Sequence, residues 1–138
     1  MEPVALDEIA GAAWRTVESP SASLNAETDQ TVRCDPTRLQ QLLENLYRNA
    51  VEHGGAEIAV TVGEVADGFY VEDNGLGIPE DKREEVFEPG YSTATDGTGF
   101  GLRIVKQVAE AHGWTVRVTE SDAGGARFEV TGVEFADH

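Results

Sequence analysis

The sequence is poor in features that mark several common classes of protein. It has a single cysteine, Cys34, so an internal disulfide is impossible and a reducing cytoplasm is the compartment we expect. No apolar stretch approaches the roughly 18 residues of a membrane-spanning helix, and no signal-peptide core follows Met1. The ten basic residues form no cluster. Because binding to a nucleic-acid backbone needs clustered Lys and Arg, we expect no nucleic-acid partner.

Acidic residues are abundant, and the net charge of −16 admits two interpretations. One is an ordinary acidic surface that keeps the protein in solution. The other is adaptation to a high-salt cytoplasm, where charge repulsion is screened to a range of about 3 Å at 1 M salt. Only two of the ten basic residues, Lys82 and Lys106, are lysines, and this scarcity favours the salt-adapted interpretation.

Length and hydrophobic periodicity predict one α+β domain. A chain of 138 residues can bury one core but is too short for two ordinary domains. Apolar spacing predicts helices over 6–18, from Pro36 (with Asp35 as N-cap) to His53-Gly54, and over 100–112. Strands are predicted over 21–27, 30–34, 56–65, 68–73, 115–120 and 126–133. The pattern predicts a two-layer sandwich, with a mixed sheet of about five strands and three main helices on one face.

A polar stripe runs along the second predicted helix. Asn45, Asn49 and His53 are spaced four residues apart and therefore share one face. Asparagine is a poor residue inside a helix because its side chain competes for backbone hydrogen bonds. Its amide oxygen is a hard ligand that suits Mg²⁺, so the stripe is either part of a metal site or a solvated polar face.

The segment "VEDNGLGIPED" places an acid at the end of a predicted strand. The carboxylate of Asp73 can there accept a hydrogen bond from an exocyclic amine, and Gly75 and Gly77 let the backbone approach a flat ring. A tight turn after the strand is the alternative.

A second glycine-rich segment, "DGTGFGLRIVKQ", leads into the third predicted helix. Gly97, Gly99 and Gly101 stand before and within its first turn, where unpaired N–H groups can bind an anion. A flexible entry loop is the alternative. A carboxylate for an amine, a helix start for phosphates and an asparagine stripe for Mg²⁺ are together the parts of a purine-nucleotide site.

Four segments in this order resemble the catalytic, ATP-binding domain of sensor histidine kinases, whose superfamily includes gyrase, MutL proteins and a class of heat-shock chaperones. "LQQLLENLYRNAVEHG" resembles the family's N box, "VEDNGLGIPED" its G1 box, "VFEPGYST" its F box and "GTGFGLRIVKQVAEAHGW" its G2 box. The resemblance implies a Bergerat-type ATP-binding fold over residues 1–138, with its core at about 6–133. It also implies that the dimerisation and sensor domains are absent from this chain.

The resemblance implies where ATP is held. Asp73 is expected to receive the adenine amino group, with the adenine pocket shaped by Gly75, Gly77 and Ile78. The start of the third helix is expected to face the phosphates, through Thr98, Gly99, Phe100, Gly101 and Leu102.

The catalytic residues implied by the resemblance lie in the N box. Asn49 is expected to bind the Mg²⁺ that bridges the ATP phosphates, Asn45 to line the same cleft, and His53 to contact ribose or phosphate. Gyrase-like ATPases carry Glu as a general base where this chain has Asn45, which cannot take a proton at neutral pH. Glu44 is rotated about 100° away on the helix. We therefore expect donation of the γ-phosphoryl group to a histidine rather than to water.

The implied partners are ATP, a histidine-bearing dimerisation domain and a downstream response regulator. The isolated domain is expected to be a monomer. His53, His112 and His138 do not stand in a phosphoacceptor-like sequence, so we expect that it does not phosphorylate itself, and we expect a structural role for His112. Glu52 replaces a basic residue common in these kinases, and 91–97 holds no Lys or Arg. These departures leave a non-catalytic, nucleotide-binding regulatory module as the alternative.

Overall fold

The computed structural model describes residues 2–16, 22–54, 58–75, 101–121 and 124–135, with 52–54 described by their backbone alone. In chain order the elements are β1 (Glu2–Ala5), α1 (Leu6–Trp14), β2 (Ser23–Ala26), β3 (Thr31–Cys34), α2 (Pro36–Gly54), β4 (Ala59–Val65), β5 (Gly68–Asp73), α3 (Gly101–Ala111), β6 (Thr115–Glu120) and β7 (Ala126–Thr131). Within these ranges no helix is both long and apolar enough to cross a membrane.

Five strands form one mixed sheet in the order β2-β4-β5-β7-β6. β2 runs parallel to β4, and the other neighbours are antiparallel. β1 and β3 form a separate antiparallel pair. The helix α2 packs against both α1 and α3, and the described ranges thus contain the predicted α+β arrangement.

The start of α2 is fixed by the predicted cap. Oδ1 of Asp35 accepts hydrogen bonds from the backbone N of Thr37 at 3.1 Å and of Arg38 at 3.3 Å. Pro36 occupies the first helical position, where its missing N–H costs nothing. The apolar stripe that follows is buried, at Leu39, Leu42, Leu43, Leu46 and Ala50.

The central strands bury one face against the helices. In β5, Phe69, Val71 and Asp73 are buried, while Tyr70 and Glu72, which alternate with them, are half-buried on the opposite face. β7 alternates in the same way over Ala126–Thr131. Since successive side chains of a strand point to opposite faces, this burial pattern gives the sheet a more polar outer face.

Several predicted boundaries differ from the structure: the strand predicted over 21–27 is Ser23–Ala26, that over 30–34 is Thr31–Cys34, and the helix predicted over 100–112 is Gly101–Ala111. Three further boundaries have a visible cause or a larger shift. α1 ends at Trp14 rather than at residue 18; the chain turns there, and the Thr16 hydroxyl donates to the Ala13 carbonyl at 2.8 Å. Residues 17 and 18 lie outside the described ranges. β4 begins at Ala59 rather than at residue 56, and β7 ends at Thr131 because Gly132 turns with φ +79°.

The two short strands before α2 do not pair with each other. β2 adds to the edge of the large sheet beside β4, and β3 pairs with β1, a strand that the sequence analysis did not predict. Long-range partners therefore outcompete a hairpin between these two neighbouring strands.

His112 ties the end of α3 to the start of α2. Its Nε2 accepts a hydrogen bond from the backbone N of Asp35 at 3.1 Å, and its Nδ1 lies 2.8 Å from the Val108 carbonyl oxygen. Its ring stacks on Trp114 with centroids 4.2 Å apart. The expected structural role of His112 is what the structure shows, and Gly113 ends the helix with φ +77°.

Candidate functional site

The carboxylate of Asp73 lies at the end of β5 and is 9% exposed. Its Oδ1 accepts hydrogen bonds from the backbone N of Gly75 at 2.9 Å and of Ala126 at 3.2 Å. The first donor belongs to the turn after β5, and the second is the first residue of β7. Two segments far apart in sequence therefore fix the orientation of one carboxylate, through charge-assisted hydrogen bonds.

The turn between β6 and β7 closes over the same carboxylate. The hydroxyl of Ser121 donates to the main-chain oxygen of Asp73 at 2.8 Å and accepts from the backbone N of Gly125 at 2.8 Å. The backbone N of Ser121 also donates to the Gly125 carbonyl at 2.8 Å. A Cβ on Gly125 would overlap the main-chain and carboxylate oxygens of Asp73. Glycine is therefore required there by close approach.

The turn after β5 is held from its other side. Oδ1 of Asn74 accepts a hydrogen bond from the backbone N of Ala59 at 2.9 Å, which links the turn to the start of β4. Gly75, predicted to shape an adenine pocket, is half-buried beside Asp73.

The asparagine stripe lies on α2, which contacts β5 and packs against α3. Asn45 and Asn49 are both half-buried. Nδ2 of Asn45 donates to the Gln41 carbonyl at 2.8 Å, so this side chain lies back along its own helix. The carboxylate of Glu44 accepts from Gln40 Nε2 at 3.1 Å. The backbone of His53 belongs to the last turn of α2.

The start of α3 is the third predicted part of the site. Gly101 is its first residue, and Leu102 is buried in the core with 7% exposure. Any contribution of Leu102 to phosphate binding therefore comes from its backbone. The remaining predicted residues lie outside the described ranges: Gly77, Ile78, Thr98, Gly99 and Phe100.

Sequence reasoning missed the residues that hold Asp73. Neither Ser121 nor Ala126 stands in any of the four segments that carry the resemblance. The structure shows that Ala126 contributes its backbone N–H. A contact from the backbone leaves no trace in side-chain identity, although the glycine pair at 124–125 was a signal of close approach.

Charged side chains concentrate on the opposite, outer face of the sheet. Arg117 lies 2.7 Å from Glu129, and Arg127 lies 2.9 Å from Glu129 and 3.6 Å from Glu72. The hydrogen bond from Arg117, with its charge and that of Arg127, lowers the pKa of Glu129. Arg127 also stacks over the ring of Tyr70, 3.9 Å from its centroid. These groups pair with one another along β7 and across to β5 and β6.

Burial excludes the thiol of Cys34 from nucleophilic chemistry. Burial and the nearby charge of Asp35 raise the pKa of the Cys34 thiol to about 11, so at neutral pH it is protonated and a poor nucleophile. Within the described ranges, no group of three or more His, Cys, Asp or Glu side chains could hold a metal ion.

Comparison with known proteins assigns the family. A family model described as histidine kinase-, DNA gyrase B-, and HSP90-like ATPase matches residues 34–134. The chain belongs to this ATPase family. It is 41% identical over 106 residues to the sensor histidine kinase ZraS of Escherichia coli O157:H7, a match that covers 74% of this chain and 23% of that protein. The chain thus spans about a quarter of the length of this curated relative.

Two solved structures of sensor histidine kinases are similar to this chain over nearly its whole length. The mycobacterial sensor histidine kinase MprB superimposes with a TM-score of 0.82 at 27% identity, over 97% of this chain and 96% of that one. The ATP binding domain of PrrB from Mycobacterium tuberculosis gives 0.70 at 31% identity, over 99% and 98%. The predicted fold and the predicted family are confirmed: this is an ATP-binding catalytic domain of the sensor histidine kinase type.

Proposed function

We propose that this domain binds Mg-ATP and donates the γ-phosphoryl group to a histidine on a separate dimerisation domain, upstream of a response regulator. The observation that carries the proposal is the buried Asp73 carboxylate, oriented by the backbone N–H groups of Gly75 and Ala126. An exocyclic amine is the complementary donor, and adenine has one. A carboxylate already fixed in place loses little freedom when the base binds.

Asn49 is the residue we assign to Mg²⁺. Its half-buried amide on α2 offers the hard oxygen ligand that Mg²⁺ accepts, with water and phosphate oxygens completing the coordination. When bound, the ion neutralises charge on the phosphates. The protein's part is to place the amide and the start of α3 at the same cleft, and the packing of α2 against α3 supports this.

Calorimetric titration tests the metal assignment directly. We expect ADP and an unhydrolysable ATP analogue to bind at least about tenfold more tightly with Mg²⁺ than in EDTA. Asn49→Ala should remove that difference, while Asn25→Ala, at an exposed asparagine on β2, should keep it. Equal affinity in EDTA would contradict the role given to Asn49.

Transfer to histidine is favoured over transfer to water by the residues one turn before Asn49. Asn45 is an amide and cannot act as a general base, and the adjacent Glu44 carboxylate is hydrogen-bonded to Gln40. Hydrolysis by the isolated domain should therefore be slow. Ready ATP turnover by this chain alone would instead indicate a stand-alone ATPase.

The second candidate function is a regulatory module that binds nucleotide and transfers nothing. Glu52 and the absence of Lys and Arg from residues 91–97 favour it, because phosphoryl transfer depends on charge neutralisation. Adding the dimerisation domain of the parent kinase as a separate polypeptide separates the two. Acid-labile phosphate on its histidine supports the kinase, whereas nucleotide binding without any phosphohistidine supports the regulatory module.

We also propose that the protein is cytoplasmic and salt-adapted. The buried free thiol of Cys34 supports the cytoplasmic location, and the net charge of −16 supports adaptation to salt. Screening of that charge should raise the melting temperature between about 0.1 M and 2 M KCl. A melting temperature that stays flat or falls with salt would contradict the salt-adapted interpretation.

A further inference from the structure

Two charged or polar side chains, leaving aside tyrosine and cysteine, are buried in the described parts of the chain, and they are joined to each other. They are Asp73, 9% exposed, and Ser121, 5% exposed. The Ser121 hydroxyl donates to the Asp73 main-chain oxygen at 2.8 Å. Burying a hydroxyl is costly unless it is hydrogen-bonded, so a buried serine beside the recognising carboxylate calls for an explanation.

We propose that Ser121 is a positioning residue that orients Asp73 and so sets the preference of the site for a purine with an exocyclic amine. The inference rests on the proposed function, because it assumes that Asp73 receives the base. It concerns a residue for which neither the sequence motifs nor the catalytic chemistry gives a role.

The hydroxyl of Ser121 makes hydrogen bonds to two of the backbone segments around Asp73. As a donor it fixes the main chain of Asp73, and as an acceptor it fixes the backbone N of Gly125 at 2.8 Å. The next residue, Ala126, provides the N–H that reaches Oδ1 of Asp73 at 3.2 Å. The Ser121 hydroxyl therefore holds the main chain of Asp73 and also the backbone of Gly125, which directly precedes the N–H group that orients the carboxylate.

The shape of the turn leaves little room for another arrangement. Gly124 N donates to the Ser121 carbonyl at 3.0 Å, and Ser121 N donates to the Gly125 carbonyl. Gly125 lies so close to Asp73 that a Cβ would overlap its oxygens. Removing the hydroxyl takes away its hydrogen bonds to the main chains of Asp73 and Gly125, so the turn and the carboxylate can shift relative to each other.

If Ser121 positions Asp73, its loss should change which base the site prefers. Adenine has an amine at C6, which donates to a carboxylate, whereas hypoxanthine has an oxygen there, which a carboxylate repels. ADP and IDP share ribose and phosphates and differ at this group. A misplaced carboxylate therefore lowers affinity for ADP while leaving IDP largely unaffected, and a general loss of structure lowers both.

The experiment is calorimetric titration of ADP and IDP, with Mg²⁺, into the whole chain and its variants. Ser121→Ala should weaken ADP binding roughly tenfold and IDP binding less than about twofold. Ser121→Thr keeps the hydroxyl and should retain most of the preference for ADP. Thr115→Ala, at an exposed hydroxyl on the same strand β6, should bind both nucleotides as the parent does.

A double variant tests whether Ser121 acts through Asp73. If it does, Ser121→Ala should reduce the ratio of ADP to IDP affinity when it is made in the parent chain. The same substitution made in Asp73→Asn should not reduce the ratio any further. Should Ser121→Ala fail to fold, Ser121→Cys, which is close in size and a weak hydrogen-bonding group, gives the same reading with a smaller loss.

Three outcomes would overturn the inference. Equal losses for ADP and IDP in Ser121→Ala would mean a merely structural role, and unchanged affinities would mean none. In both cases a preference for ADP that Asp73→Asn abolishes would leave the proposed function standing. A ratio unaffected by Asp73→Asn would remove the adenine site itself, and the inference with it.

Discussion

Two adjacent carboxylates on β5 face opposite sides of the sheet and are held in different ways. Glu72 lies on the outer face, half-buried, 3.6 Å from the guanidinium of Arg127. Asp73 lies on the buried face and accepts hydrogen bonds from the backbone N of Gly75 and of Ala126. Glu72 is held by the long side chain of Arg127, which has other partners. Asp73 is held by backbone N–H groups whose positions the fold fixes.

This difference decides what each carboxylate can do. On the outer face Arg127 also pairs with Glu129, which Arg117 holds at 2.7 Å, so loss of Arg127 leaves Glu129 paired with Arg117. At the buried corner, formed by Asp73, Gly75, Gly125 and Ala126, each donor to the carboxylate is a backbone N–H whose position the fold fixes. A carboxylate held by rigid backbone is pre-organised to recognise a ligand, whereas one held by exposed cations contributes mainly to the surface.

The largest effect should come from filling the space at the buried corner. Gly125→Ala places a Cβ against the oxygens of Asp73, and the backbone must move. We expect the free energy of unfolding to fall by about 3 kcal/mol, as in other overpacked sites, together with a loss of ADP binding. Thermal or urea unfolding measures the first and calorimetry the second.

Gly11→Ala is the matched control, because an added Cβ on α1 meets nothing within 4 Å. It should leave ADP binding unchanged and stabilise the fold by about 0.5–1 kcal/mol, since alanine is the better helix former. A Gly125→Ala variant as stable as the parent would show that the corner is not rigid.

A smaller effect is expected on the outer face. Arg127→Gln removes the ion pairs with Glu72 and Glu129 and the contact with the Tyr70 ring. Unfolding free energy should fall by about 1 kcal/mol, less in molar KCl, because partly exposed ion pairs are screened. ADP affinity should change less than about twofold, although Arg127 directly follows Ala126. A larger change in ADP affinity would mean that the two faces are coupled.

The smallest effect concerns pH. Arg117 and Arg127 lower the folded-state pKa of Glu129 below its ordinary value of 4.5. Below that value the unfolded chain binds the proton first, so the contribution of Glu129 to stability is present above about pH 4.5 and is lost as the pH falls further. Glu129→Gln should therefore cost stability at neutral pH and flatten the decline in acid.

Glu8→Gln, at an exposed glutamate on α1, controls for the change in net charge. Urea unfolding of both variants at neutral and acid pH provides the comparison. If Glu129→Gln declines in acid as steeply as the parent, the ion pairs on the outer face do not hold in solution.

The sequence predicted what depends on neighbouring residues. Asp35 and Pro36 predicted the start of α2, and the apolar spacing that follows predicted its buried face. Local periodicity also predicted the helix α3 and strands where β4, β5, β6 and β7 lie. Each of these signals is local, and the physical cause lies within one or two turns of the residue that carries it.

The sequence could not predict what depends on distant backbone. β1 was missed, and the partners of β2 and β3 could not be predicted, because a short strand pairs with whichever edge the tertiary fold offers. The link from Ser121 to Asp73 joins residues 48 apart in the chain. Motifs located Asp73, but the groups that orient it are a hydroxyl outside any motif and two backbone N–H groups.

The central claim is that Asp73, and not its neighbour, recognises the base. The most direct test is calorimetric titration of ADP with Mg²⁺ into the parent chain, Asp73→Asn and Glu72→Gln, each checked for an intact fold. Both variants neutralise one carboxylate of β5 at nearly constant volume. We expect Asp73→Asn to lower affinity roughly 10- to 100-fold, as for the loss of a hydrogen bond to a charged group, and Glu72→Gln to leave it within about twofold. Equal affinities for the two folded variants would contradict the account.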